Sequence, residues 1–117
     1  MKQKTATTIF ESLSSSIRLD IFRLLVKKGY SGLVAGEIST SLGIAPNNLS
    51  FHLKALTQAG LLTVEQEGRY QRYRADINLM QDLITYLTDE CCSEDICTQS
   101  ADTPSNICVQ TFSKNKS

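Results

Sequence analysis

The sequence predicts a mainly α chain with a single β-hairpin, and three observations carry that prediction. Helical signals mark five separate stretches, glycine and proline punctuate them at the spacing of short turns, and only the stretch around Glu67-Gly68 reads as paired strands. A length of 117 residues sets one domain as the prior, since two would each fall short of a self-supporting core. With 41% apolar and 21% charged residues, wholesale disorder is excluded. No apolar run reaches the roughly 18–20 residues that span a bilayer, so no membrane partner is expected. Met1 to Phe10 lacks the apolar stretch of a secretory signal, which makes a cytoplasmic location the expectation.

Ala6 to Leu13 reads as a first short helix with Ile9, Phe10 and Leu13 on one side. Ser14-Ser15-Ser16 breaks it and supplies hydroxyl caps for the next. In that second helix Ile17, Ile21, Leu24 and Leu25 form a buried stripe while Arg18, Arg23 and Lys27 face elsewhere. Gly29 stops it, and Tyr30-Ser31-Gly32 is a turn. A third helix runs from Ala35 to Leu42 and ends at Gly43, with Ile38 and Leu42 inward. Pro46 suits the first turn of a helix because it has no N–H to leave unpaired, so a fourth helix runs from about Pro46 to Ala59. Two helices joined by a tight glycine turn are the helix-turn-helix signature. The hairpin that follows, turning at Glu67-Gly68 between Leu61-Leu62-Val64 and Tyr70-Tyr73-Ala75, makes it a winged helix-turn-helix. Asp76 caps a fifth helix, in which Ile77, Met80, Leu83, Ile84 and Leu87 form an apolar stripe up to about Glu90. The chain then divides into a reading body, residues 1–92, and a cysteine-containing tail, residues 93–117, expected to be flexible from Thr98 on.

Twelve basic and twelve acidic side chains cancel to zero, but they are not mixed evenly. Residues 1–75 hold ten bases against five acids, a net +5, while residues 76–113 hold seven acids and no base. The basic part suits a phosphate-bearing partner, and the acidic end suits a separate task. On the fourth helix Leu49, Leu53 and Leu56 make the core face; Asn47, Ser50 and Lys54 make another, with Phe51 beside them. Asparagine bonds adenine bidentately, serine bonds bases or phosphates, lysine neutralises phosphate, and phenylalanine touches a thymine methyl. His52 reads equally as a packing histidine or a phosphate ligand. In the hairpin, strand alternation groups Arg69 with Tyr73, and Tyr70 with Arg72 and Arg74. Arg69, nearest the tip, is the first candidate for a minor groove or a phosphate, and Arg72 the next. The expected partner is double-stranded DNA.

Three blocks carry a family resemblance: Leu13-Ser14-Ser15-Ser16-Ile17-Arg18-Leu19-Asp20-Ile21, Asn48-Leu49-Ser50-Phe51-His52-Leu53-Lys54-Ala55-Leu56, and Ala59-Gly60-Leu61-Leu62. Across residues 5–92 the chain resembles the ArsR/SmtB metalloregulators, with Ser16 where many members have proline. The resemblance implies a small homodimeric repressor, a dimer interface made by the first and last helices, Asn48 in the reading set, and a pseudo-palindromic operator.

All four cysteines, Cys91, Cys92, Cys97 and Cys108, lie in the last 27 residues. Cytosolic thiols stay reduced, so the cluster points to metal or redox chemistry rather than a structural disulfide. Cys91, Cys92 and Cys97 are a soft, low-coordinate thiolate set suited to As(III), Sb(III) or Cd(II). A tetrahedral zinc site would need Cys108 as a fourth ligand, at an entropic cost in ordering the tail. The third helix lacks the Cys-Val-Cys site of some arsenic sensors, reading Val34-Ala35-Gly36-Glu37 instead. The Cys91-Cys92 pair followed by Cys97 resembles the arsenite-responsive ArsR repressors with carboxy-terminal ligands, which implies As(III) or Sb(III) as inducer and no organic cofactor. An oxidation- or persulfide-driven thiol switch is the alternative, opposed by Asp89, Glu90, Glu94 and Asp95 around the thiols. An enzyme such as an arsenate reductase is disfavoured, because no arginine follows any cysteine and no cysteine sits in a phosphate loop.

Overall fold

A computed structural model describes residues 1–94. Its elements are α1 (Gln3–Ser12), α2 (Ser16–Lys28), β1 (Leu33–Val34), α3 (Ala35–Leu42), α4 (Pro46–Gln58), β2 (Leu62–Glu67), β3 (Tyr70–Ala75) and α5 (Ile77–Thr88), with a 3-10 turn at Gly29–Ser31. Met1–Leu83 form one compact unit, and the chain from Ile84 belongs to a second.

α1 begins three residues earlier than its apolar pattern suggests. Its first turn is polar, closed by the Ala6 N–H to Lys2 carbonyl bond, and only Ala6, Ile9 and Ser12 are buried. The serine run behaves as expected: Ser15 Oγ accepts from the Arg18 N–H at 3.4 Å and starts α2. Ile21 and Leu25 of the predicted stripe are fully buried, joined by Phe22, while Ile17 and Leu24 are half-buried. The α3–α4 turn is fastened by Ser39, whose hydroxyl donates to the Ile44 carbonyl at 2.5 Å and whose carbonyl accepts the Ile44 N–H at 3.1 Å. Glu37 holds the start of α3 by accepting from the Val34 N–H at 3.0 Å. Ile38 of α3, Leu49, Leu53 and Leu56 of α4, and Leu61 and Leu62 complete the core with Ile9 and Leu33.

The sheet has three antiparallel strands in the order β1-β3-β2, one more than the expected hairpin. Two residues of β1 are too few for any alternation to register; they pair as Leu33 with Tyr73 and Val34 with Arg72. The hairpin register runs from Leu62 opposite Ala75 to Glu67 opposite Tyr70. Its two-residue loop is therefore Gly68-Arg69, one position beyond the expected turn, with Gly68 at φ +63°. Arg69 lies in the loop itself, not on a strand face.

Asp76 caps α5 as expected, its Oδ1 accepting from the Leu79 N–H at 3.0 Å. Of the predicted stripe on α5, Leu83 is buried, Met80 is half-buried, and Ile77, Ile84 and Leu87 are exposed. The described part of the second unit continues from α5 through turns closed by Cys91 N–H to Thr88 carbonyl, 2.9 Å, and Ser93 N–H to Glu90 carbonyl, 3.0 Å.

Candidate nucleic-acid interface

Leucines bury one side of α4, and the opposite side is left to solvent. Leu49, Leu53 and Leu56 are buried, so Asn47, Asn48, Ser50, Phe51 and Lys54 all project outward. Phe51 is 64% exposed and presents a large apolar ring on this side of the helix. Asn47 Oδ1 accepts from the Asn48 N–H at 3.0 Å.

His52 has a definite protein partner. Its Nδ1 accepts from the Nε–H of Arg18 at 3.2 Å, which requires the neutral imidazole. Arg18 also lies over the Phe51 ring, 5.7 Å from its centroid, and the Phe51 and His52 rings meet edge-on at 5.5 Å. Burial, followed by the neighbouring Arg18 charge, holds the His52 pKa below its ordinary 6.5. An unfolded chain thus takes up this proton at higher pH than the folded one, and folding stability falls as pH drops below about 6.5. Urea unfolding should show this acid-side loss in the wild type and a smaller one in His52→Gln. Equal losses in the two proteins would remove His52 as the cause.

The wing arginines divide. Arg69 is exposed in the hairpin loop. Arg72 donates through Nε to both carboxylate oxygens of Glu67, each at 3.0 Å, and through Nη1 to the Ser31 carbonyl at 2.9 Å. Arg74 donates to Glu65 and to the Tyr30 carbonyl, both at 2.6 Å, and stacks over the Tyr30 ring at 5.0 Å. The hydrogen bond that Arg74 donates to Glu65 raises its pKa above the ordinary arginine value. Alternation correctly set Arg72 and Arg74 on one sheet face. That face turns toward the Tyr30–Ser31 segment, and the two side chains tie the wing to it.

The other face of the sheet looks toward α4. Val64, Gln71 and Tyr73 line a groove with Ser50, Lys54, Thr57 and Gln58. Along it the Tyr73 hydroxyl donates to Gln71 Oε1 at 3.1 Å, Gln71 donates to Gln66 at 3.3 Å, and Gln66 donates to the Gly68 carbonyl at 2.8 Å. Burial raises the Tyr73 pKa above its ordinary 10.0, keeping the phenol a donor. Sequence reasoning passed over Gln66 and Gln71, although their alternation with the arginines was available. The apolar stripe of α2 turns Arg18 away from the core, and nothing local reveals a partner 34 residues away.

In the second unit the sulfurs of Cys91 and Cys92 stand 3.4 Å apart. Glu90, Cys92, Ser93 and Glu94 line a shallow cavity there. Cys97 and Cys108 lie outside the described residues. Two adjacent soft donors fit part of a thiophilic ion's coordination. Among the described residues no group of three His, Cys, Asp or Glu side chains gathers around one point, and no helix is long and apolar enough to cross a membrane.

Residues 13–65 match the family pattern described as a helix-turn-helix domain. The chain is 29% identical over 79 residues to the transcriptional repressor SdpR of Bacillus subtilis, covering 68% of this chain and 84% of SdpR. It is 45% identical over 40 residues to the uncharacterized regulator YdfF of the same organism, covering 34% of this chain but only 18% of YdfF. Among solved structures, an ArsR-like transcriptional regulator from Rhodococcus superposes with a TM-score of 0.69 at 24% identity, over 88% of this chain and 96% of that one. The homodimeric winged helix-turn-helix DNA-binding domain of Mb0332 from Mycobacterium bovis superposes with a TM-score of 0.59 at 26% identity, over 78% and 84%. Five helices among the described residues, a glycine-punctuated α3–α4 pair, a three-stranded wing and these similarities lead to one conclusion: the chain has a winged helix-turn-helix fold, within which residues 13–65 are similar to a helix-turn-helix domain.

Proposed function

We propose that the chain is a transcriptional repressor of the ArsR type that binds operator DNA as a homodimer and is released when Cys91, Cys92 and Cys97 bind As(III) or Sb(III). The observation that carries the DNA reading is the outward face of α4, where Asn47, Asn48, Ser50, Phe51 and Lys54 stand exposed on a helix anchored by three buried leucines. A helix with side chains is roughly 10–12 Å across and fills a major groove about 12 Å wide. Arg69 in the exposed hairpin loop extends the contact toward the neighbouring minor groove or phosphates. SdpR is a repressor, and the Rhodococcus and Mb0332 structures support the regulator reading. Phe10 on α1 is exposed, and in the second unit Ile84 and Leu87 are exposed; each is apolar surface that a dimer would cover.

The sensor reading is supported by the Cys91–Cys92 sulfur contact. Metal binding drives thiol deprotonation by itself, so the adjacent carboxylates Glu90 and Glu94 do not oppose it as they oppose a reactive redox thiolate. An operator-shift titration tests this with As(III), Cd(II), Zn(II) and peroxide in parallel. As(III) should weaken operator binding by roughly 5–150-fold, the range of ordinary allosteric coupling. Cys91→Ser, Cys92→Ser or Cys97→Ser should abolish that release, and Cys108→Ser should leave it. Undiminished operator binding at saturating arsenite would sink the arsenic reading. Release by peroxide alone, with an intramolecular disulfide, would favour the thiol switch.

A further inference from the structure

Arg18 stands apart among the cations around α4. It sits in the first turn of α2, where the helix dipole disfavours positive charge. It is half-buried, yet the ion pairs among the described residues are Arg72 with Glu67 and Arg74 with Glu65, and none involves Arg18. Glu11 lines the same shallow groove without reaching ion-pair distance. Arg18 is nevertheless held in place: Nε is committed to His52 and the guanidinium plane lies over Phe51. No other side-chain hydrogen bond of Arg18 occurs among the described residues, leaving its terminal Nη groups with polar capacity to spare.

Its position gives that capacity a use. The outward strip of α4, Asn47, Ser50 and Lys54, has two flanks. Against one lies the sheet, through the groove shared by Ser50 and Lys54 with Gln71 and Tyr73. Against the other lies Arg18, through Phe51 and His52. A helix in a major groove has a phosphate row on each side, and the flank bearing Arg18 would otherwise present an exposed aromatic ring. A planar guanidinium fork matches phosphate oxygens in geometry as well as charge.

We propose that Arg18 is a DNA-phosphate contact delivered by α2, with His52 as its positioning residue, an assignment that rests on the DNA-binding reading above. The test uses the full chain and a labelled random-sequence duplex, with affinity measured across salt concentrations. Each lost phosphate contact lowers the log–log salt slope by about 0.9, so Arg18→Gln should reduce it by about that amount per protomer on the duplex. Arg18→Lys, which keeps the charge, should retain the slope while binding more weakly. His52→Ala should weaken binding in the wild-type background and have little further effect beside Arg18→Gln, because His52 acts through Arg18. Thermal unfolding of each variant identifies any loss that comes from misfolding, and Arg18→Lys then carries the comparison. An unchanged salt slope in a folded Arg18→Gln protein overturns the assignment while leaving the DNA reading intact. Absence of salt-dependent duplex binding by the wild type overturns the DNA reading and this assignment with it.

Discussion

Gly32→Ala is expected to cost about 3 kcal/mol or more and to loosen the wing from the rest of the fold, because two penalties coincide there. Gly32 adopts φ +58° and ψ −167°, a region open almost only to glycine, at an expected cost of roughly 1–3 kcal/mol for any other residue. A Cβ at this position would also collide with the Tyr73 carbonyl oxygen and come within 2.8 Å of Arg74 Cγ. The carbonyl belongs to the backbone of the central strand, so relief requires β3 to move. Gly29→Ala is the control: its φ of +63° imposes a similar conformational cost, but nothing lies within 4 Å of the added Cβ. Urea unfolding should rank Gly32→Ala well below Gly29→Ala in stability. Equal midpoints would mean that the close approach of β1 to β3 contributes nothing.

Leu56→Ala should destabilise by about 2–5 kcal/mol, a large share of the 5–15 kcal/mol typical of a whole domain. Leu56 is fully buried, and its carbonyl accepts the Leu61 N–H at 3.0 Å where α4 gives way to β2. The substitution leaves a cavity beneath the helix that carries the outward reading face. Operator affinity should fall with it at temperatures near the lowered unfolding midpoint, and recover on cooling. A loss below 1 kcal/mol in denaturant unfolding would show that the core around α4 collapses freely onto the vacancy.

The helices were legible wherever stop and start signals coincide with a buried stripe. Gly43 and Pro46 bound the α3–α4 turn, and the three α4 leucines at i, i+4 and i+7 are all buried. The start of α1 was missed because its first turn buries nothing before Ala6. β1 was missed because two residues carry no period; its existence depends on Tyr73 and Arg72, far along the chain. The candidate site divides in the same way. Exposure of the α4 face follows from helical geometry alone, whereas the partners of Arg18, Arg72 and Arg74 do not. Each of these arginines bonds a group between 34 and 44 residues away in sequence, and charge counting cannot tell an arginine committed to a carbonyl from one presented to solvent.

The order β1-β3-β2 has a consequence for solubility. Among the described residues β2 is an edge strand of six residues, and β1 covers the far side of β3 for only two, so both margins offer backbone groups that no described strand pairs. Such margins invite another chain to add a strand. Val64 is exposed on β2, and with Leu62 and Thr63 it begins a run with the composition of an aggregation-prone segment. Glu65 and Glu67 interrupt that run and serve as gatekeepers. The carboxylates that hold Arg72 and Arg74 therefore also guard the sheet against pairing with its neighbours at high concentration.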